Sequence, residues 1–390
     1  MSMEMNRKLR LERLTILVLL FSMALWLLAP VAAADEIAVS TDGTDVVVSR
    51  NSNLHYINGI GMLHSPATSW LYENENGGVT LVQYVSKTAG VTVAEYDSEL
   101  DFMNVRSIPV PNLTQWGGFY AGETYNFLVY AVDSAVIHVD QYTKDWIYVS
   151  SCNRTLSNTK SFITNDLDIT EGNGSLFIVT NHYMDSGHMA NMRLQINEST
   201  MAVTVEQTGT ATYNGYCSHS YVPETVWADG ILYALDRCDS IPGLGIYVSS
   251  YNGSLSQGIT MGNIRSMAFN DWGNLGSCIP AGKGVLTAYN YAPGSASHTS
   301  TNIFLNYYCS ADKSNIVSQT VQVTSTGGAG TPFVAAVTDT YGYVLWNPDI
   351  RSSAAAGDTL FYARYDRSDD LTVGEVQSAE ENALSDCDPI

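Results

Sequence analysis

The sequence predicts an all-β protein, a β-propeller of six to seven four-stranded blades. Three observations carry that expectation. Long helical periodicity is absent after the first 34 residues. Short runs rich in Val, Ile, Tyr and Thr alternate with turn residues, the pattern of strands. One cassette also recurs every 45 to 58 residues: a strand, a glycine-containing turn, an apolar strand, a loop, then two more strands.

Six cassettes cover residues 68–110, 111–158, 165–209, 216–261, 265–324 and 328–378. Their first turns are Asn76-Gly77-Gly78, Ala121-Gly122-Glu123, Gly172-Asn173-Gly174, Ala228-Asp229-Gly230, Ala281-Gly282-Lys283-Gly284 and Thr340-Tyr341-Gly342. An apolar strand follows each turn, as in Ser175–Thr180, Ile231–Leu235 and Val285–Tyr289. One four-stranded sheet cannot bury both faces. Radial packing of such sheets buries them, and closing the ring leaves few free edges. Residues 35–60 hold strand-like Glu36–Ser40 and Asp45–Ser49, and residues 383–390 read as the first strand of a further blade. A seventh blade composed from both termini is one way to close the ring; six blades with a loose N-terminus is the other.

The start of the chain reads as an export signal. Arg7, Lys8, Arg10 and Arg13 precede an uncharged apolar run, Leu14 to Leu28, and then Ala29-Pro30-Val31-Ala32-Ala33-Ala34. A basic start, an apolar middle and small residues at the cut site define a secretory signal peptide. Cleavage fits after Ala33 or Ala34, and the small-residue site with Pro30 favours it over an uncleaved anchor. The domain reading is therefore a signal peptide over 1–34 and a single β-propeller domain over 35–390. No later run is long and apolar enough to span a membrane.

The chain holds 18 Lys+Arg against 39 Asp+Glu, a net charge of −21. That acidity argues against nucleic acid and anionic membrane surfaces as partners, and it tolerates divalent cations such as Ca²⁺. Six cysteines, Cys152, Cys217, Cys238, Cys278, Cys309 and Cys387, suit disulfides in an exported chain. None lies in a CxxC, which argues against a thiolate zinc site. Cys217 and Cys238 flank the hairpin turning at Asp229-Gly230 and are paired on that ground. Cys278–Cys309 is a similar pairing, and Cys152–Cys387 follows by elimination. Sequons at Asn112, Asn153, Asn173, Asn197 and Asn252 mark exposed loops.

Several stretches carry a resemblance. These are Trp116-Gly117-Gly118-Phe119-Tyr120-Ala121-Gly122 with Tyr125-Asn126-Phe127-Leu128-Val129, and Leu176-Phe177-Ile178-Val179-Thr180-Asn181-His182-Tyr183-Met184 with Gly187-His188-Met189-Ala190-Asn191. Tyr216-Cys217-Ser218-His219-Ser220-Tyr221 and Leu384-Ser385-Asp386-Cys387-Asp388-Pro389-Ile390 complete the set. Together they resemble the motifs of a family of secreted bacterial β-propeller surface proteins without assigned activity. Tyr183 stands where that family often has an acidic residue. The resemblance implies a propeller fold and an extracellular or cell-surface location; it implies no chemistry.

Candidate site residues lie in the third and fourth cassettes. His182, His188 and His219 form a candidate metal set for Zn²⁺, or could orient an anionic sugar. Their plainer reading is hydrogen bonding between blades. Asp236-Arg237-Cys238-Asp239 follows the strand Ile231–Leu235, where carboxylates beside a guanidinium could hold a substrate or activate water, and Glu224 on the preceding strand of the same hairpin offers the second carboxylate a glycosidase needs; a structural ion pair is the plainer reading. Tyr221 is placed to stack on a sugar ring. Asn165-Asp166-Leu167-Asp168 is a short acidic stretch with a weak claim on Ca²⁺. No Gly-x-Ser-x-Gly elbow, EF-hand loop or phosphate-binding glycine loop occurs. The expected function is recognition or adhesion: an exported propeller binding a glycan or an extracellular protein. An extracellular carbohydrate-active hydrolase or lyase is the alternative, and a structural subunit of an extracellular assembly is a third.

Overall fold

The computed structural model describes residues 69–156, 167–183, 189–208, 213–294, 300–311, 314–349 and 359–379. The export segment, the strands expected in 35–60 and 383–390, His188 and Cys387 lie outside the described residues. So do Asn165 and Asp166. Among the described residues every long element is a strand and there is no α-helix. Among the described residues no helix is long and apolar enough to cross a membrane.

Twenty-six strands form five antiparallel sheets. The first holds β1 (Ser69–Glu73), β2 (Val79–Ser86), β3 (Gly90–Tyr96) and β4 (Phe102–Ile108) in sequence order. The second holds β5 (Gln115–Ala121), β6 (Tyr125–Asp133), β7 (Val136–Thr143) and β8 (Tyr148–Thr155). A nine-stranded sheet follows. Its first half is β9 (Leu167–Gly172), β10 (Ser175–Tyr183), β11 (Met189–Asn197) and β12 (Ala202–Gln207). Its second half is β14 (Glu224–Ala228), β15 (Ile231–Ile241), β16 (Gly245–Asn252) and β17 (Gly258–Ser266), and β13 (Ser218–Ser220) joins the halves. The fourth sheet is β18 (Trp272–Ala281), β19 (Gly284–Ala292), β20 (Asn302–Cys309) and β21 (Val317–Gln322). The last is β22 (Phe333–Ala336), β23 (Tyr341–Trp346), β24 (Leu360–Asp366) and β25 (Thr372–Val373), with β26 (Gln377–Ala379) also on β24.

Four sheets are thus separate meanders of blade form; the cassette boundaries fall between strands except at 261 and 265, which both lie inside β17 (Gly258–Ser266), and at 378, inside β26 (Gln377–Ala379). The departure is the nine-stranded sheet, in which two cassettes share one hydrogen-bonded surface. Short local signals set the hairpins. Asn173 and Gly174 both have positive φ (53° and 69°), as do Asp229 and Gly230 (46° and 81°). A two-residue turn of this mirror-image type needs φ > 0 at both positions, which Asn-Gly and Asp-Gly tolerate.

Burial follows the radial order. The second strands β10 and β19 are buried almost end to end, because neighbouring sheets cover both faces. The fourth strands β8 and β21 are largely exposed or alternate. The core is accordingly a series of slabs between sheets. Phe127, Val129 and Ile137 meet Leu176, Ile178 and Leu194. Leu286, Leu305 and Ala288 meet Val344, Trp346 and Ala363. Phe177 and Val179 meet Leu232, Ala234 and Tyr251, so the two halves of the nine-stranded sheet also pack face to face. First strands touch in succession: β5 meets β9, β9 meets β14, β14 meets β18, and β18 meets β22. Trp70 of β1 lies edge-on to Trp116 of β5, ring centres 5.7 Å apart. Sheets packed as slabs around a common set of first strands are a propeller arrangement.

Candidate functional site

The first strands surround an open cavity of about 810 Å³. Strands β1, β5, β9, β14 and β18 all contribute to its wall, so it is the axial channel. Trp70, Tyr120 and Trp227 supply aromatic surface. Trp227 stacks on Phe177, centres 5.6 Å apart and planes 14° from parallel. A Cβ on Gly172 would come within 2.0 Å of the Trp227 ring, so only glycine lets the indole lie there.

Carboxylates supply the polar surface: Glu123, Asp168, Glu171, Glu198 and Glu224. No lysine, arginine or histidine is among the lining residues. Asp168 clamps β9 to β14: Oδ2 accepts the Thr225 N–H at 2.6 Å and Oδ1 the Ile169 N–H at 2.8 Å. Glu171 accepts the Glu123 N–H, and its own N–H donates to the Tyr120 hydroxyl at 3.3 Å. Burial, then the charges of Glu171 and Glu123, pushes the Glu198 carboxyl up to about 7. Burial also raises Glu171, with Glu123 adding to the shift and Lys144 opposing it. Lys144 itself donates to Gly122 O at 2.6 Å and Asn126 Oδ1 at 3.1 Å. Asp168, Glu224 and Cys278 come from three successive first strands, and one ligand-type atom from each lies within 4.8 Å of the others.

Of the residues singled out in the sequence, Asp168 and Glu224 lie in this wall, whereas His182, His219, Tyr221, Asp236 and Arg237 lie elsewhere, around β13. His182 is fully buried near the end of β10. Burial draws it down to about 4, against a hydrogen bond with the Asn191 backbone, so it is neutral at pH 7. His219 is partly exposed, and its Nδ1 lies 2.6 Å from Asp239 Oδ1. Tyr221 donates to Asp239 Oδ2 at 2.6 Å, and burial followed by that carboxylate raises its pKa. His219 has φ 53°, at the point where the β13–β15 register shifts. His182 and His219 belong to neither described group of three ligand-type side chains near enough to share an ion.

Asp236 and Arg237 are both 2% exposed. Neighbours on a strand face opposite ways, and these two do. Asp236 Oδ2 accepts the Ser220 hydroxyl at 2.7 Å, and Arg193 is the cation that pulls its carboxyl down. Burial outweighs both and lifts Asp236 to about 7. Arg237 Nε instead donates to Gly273 O in the next sheet, at 3.2 Å, and burial lowers it to about 10. Sequence reasoning missed Arg193 and Trp227, and it named Asp239 beside Arg237 without pairing it with His219. A lone arginine inside the apolar run Met192-Arg193-Leu194 was the available sign of a buried ion pair.

Cys217 and Cys238 form a disulfide, Cα atoms 5.8 Å apart. The Cys278–Cys309 pairing is corrected: β18 and β20 are both neighbours of β19, so two strand spacings separate them. That is about 9–10 Å, beyond the reach of a disulfide. Cys278 Sγ faces Glu224 at 3.8 Å, while Cys309 Sγ faces Lys283 O at 3.6 Å. Cys152 carries a thiol that burial raises to about 11, and its expected partner Cys387 lies outside the described residues.

No known family's sequence profile matches the chain. No curated protein matches it either. Solved structures of similar course include a mutant apocarotenoid oxygenase from Synechocystis, with 7% identity, 83% of this chain and 74% of that chain covered, and a TM-score of 0.46. The extracellular domain of a hybrid two-component system from B. thetaiotaomicron has 13% identity and a TM-score of 0.46, covering 84% of this chain and 35% of that one. A Hadza microbial sialidase has 9% identity and a TM-score of 0.39, with 76% and 66% covered. Likenesses this distant carry no function across. By its own sheets, the chain is an all-β protein of propeller arrangement with one disulfide among its described residues.

Proposed function

We propose that this protein is an exported, extracellular or cell-surface propeller of six or seven blades that recognises a glycan at its axial channel. The observation that carries the reading is the channel wall: aromatic faces from three first strands beside carboxylates. Sugars offer apolar C–H faces to rings and hydroxyls to carboxylates, and the volume fits a ligand site of ordinary size. The basic start with its apolar run, together with the disulfide, supports the location. The blade number treats the two halves of the nine-stranded sheet as two blades, with residues 35–390 as one domain.

With no basic residue in the wall, the preferred sugar carries an amine. A cation there gains both from the carboxylates and from the Trp227 face. The test is a glycan array carrying amino sugars and their N-acetylated forms, with and without a chelator. Trp227→Ala should weaken retention of the amino sugar about tenfold or more, with folding checked by circular dichroism. Equal signal from acetylated and free amines would overturn the charge preference. A blank array would overturn the glycan reading and turn attention to protein partners.

A second reading, an extracellular glycoside hydrolase, has one specific support. Asp168 and Glu224 carboxylate oxygens lie within 4.8 Å of each other, near the about 5–5.5 Å of retaining enzymes. Turnover of aryl glycosides that disappears in Glu224→Gln would favour it. A divalent-cation role passes from the histidines to Asp168, Glu224 and Cys278, and chelator-sensitive binding is its test.

A further inference from the structure

The join within the nine-stranded sheet buries three polar atoms that no protein group bonds. Asn181, Arg193 and Asp236 are 0%, 1% and 2% exposed. Asn181 Oδ1, Arg193 Nε and Asp236 Oδ1 have no protein partner. Their remaining polar atoms are all engaged. Asn181 Nδ2 donates to Ser220 O at 3.3 Å, and Asp236 Oδ2 accepts the Ser220 hydroxyl at 2.7 Å. Arg193 Nη1 donates to Asn214 O at 3.1 Å and Tyr251 Oη at 2.5 Å, and Nη2 to Gly215 O at 3.0 Å.

All three residues gather around Asn191. It stands opposite Asn181 in the β10–β11 register. It precedes Arg193 by two residues on β11, hence on the same face. Its side chain also lies near enough to Asp236 to favour the ionised carboxylate, which feels the Arg193 charge as well. Residues 213–220 close over this group. Tyr213 donates to Asn191 O at 2.7 Å, the Cys217 N–H donates to Asn191 Oδ1 at 3.0 Å, and Asn191 Nδ2 donates to Gly215 O at 2.9 Å. The Cys217–Cys238 bond fastens the cover to β15.

Two acceptors and one donor are thus buried on side chains grouped around Asn191. A cation would suit both acceptors but oppose Arg193. An anion would suit Arg193 but oppose Asp236. A neutral molecule that donates twice and accepts once satisfies all three, and three hydrogen bonds are typical of a buried water. We propose that the join encloses one permanent water molecule, bonded by Asn181 Oδ1, Asp236 Oδ1 and Arg193 Nε and held in by the Cys217–Cys238 clasp. It links β10, β11 and β15 where direct strand pairing gives way to side chains.

The test is an atomic-resolution crystal structure of the purified protein, from crystals grown with rubidium and, separately, calcium. The expected result is one peak about 2.7–3.2 Å from all three atoms, with no anomalous signal from either metal. An anomalous peak would make the site a cation site and overturn the proposal. So would side chains rotated on to protein partners with no peak between them. Oxygen-17 relaxation dispersion on a Cys217→Ser/Cys238→Ser variant tests the clasp separately. Its long-lived water should exchange faster by about tenfold or more, and an unchanged residence time would overturn the clasp.

Discussion

The join within the nine-stranded sheet and the axial channel both collect charge, and they treat it in opposite ways. At the join, Asp236 is 2% exposed and has Arg193 and Ser220 as company. In the channel, Glu123, Glu171 and Glu198 crowd together in reach of water, and Lys144 offsets the crowding only at Glu171. A buried carboxylate must be paired or neutralised, whereas a wetted one need not be. The join is therefore built for fixed geometry, and the channel stays open to solvent.

The largest effect that would break this contrast is at Arg193. Arg193→Ala leaves Asp236 buried without its cation and releases two carbonyls of the covering segment. Urea denaturation should show a loss of about 3–5 kcal/mol. A loss no larger than that of a surface arginine would mean that the join is not held by its charges.

Next is the clasp. Cys217 and Cys238 are 21 residues apart in sequence, and a loop of that length corresponds to about 3 kcal/mol of unfolded-state entropy. Cys217→Ser/Cys238→Ser should lower stability by that order in oxidising buffer. Reductant should bring the natural protein down to the same level.

The pH dependence sharpens the comparison, because Asp236 and Glu198 titrate near the same point for different reasons. Both are raised in the folded state, to about 7 in each case. A raised carboxyl pKa means that folding favours the protonated form. Its contribution is fully present below the ordinary carboxylate range, about pH 4, and is lost as pH rises through about 7. Asp236→Asn should therefore flatten the fall in denaturation midpoint between those limits. Glu198→Gln should flatten it less, since solvent screens the channel. An equal effect from the two would show that the channel is as closed as the join.

The smallest effect is the gain from Glu198→Gln at pH 8. Removing one of three crowding carboxylates should stabilise by less than about 1 kcal/mol. A destabilisation would mean that Glu198 has a partner the repulsion argument omits.

Much of the fold was legible because propeller blades advertise themselves locally. Asn173-Gly174 and Asp229-Gly230 fix tight hairpins, and the uniformly apolar second strands need no long-range information. What could not be read was where blades touch. β13 is three residues long, too short for an alternating pattern, and its two-sided pairing depends on a bulge against β15. The same bulge puts Asp239 beside His219, so both residues were visible and their pairing was not. Cys278 failed as a half-cystine because strand order, rather than sequence spacing, decides which thiols meet. Asp168 and Glu224 were visible as acidic candidates, but that they share a channel with Trp227 was hidden for a related reason. Trp227 reads as an ordinary core aromatic until β9 and β14 are placed side by side around an axis.

The slab-like core has a consequence for how the molecule comes apart. A series of sheets that touch only their neighbours behaves like a row of coupled units, each able to open at the cost of its contacts with the next. β13 removes that freedom from one pair, since strands β9 to β17 share a continuous hydrogen-bonded ladder. Their backbone amides should exchange with deuterium as one cooperative block, later than those of the short-stranded β22–β26 sheet. The join is then the anchor of the ring, the part that stays formed while the other sheets breathe.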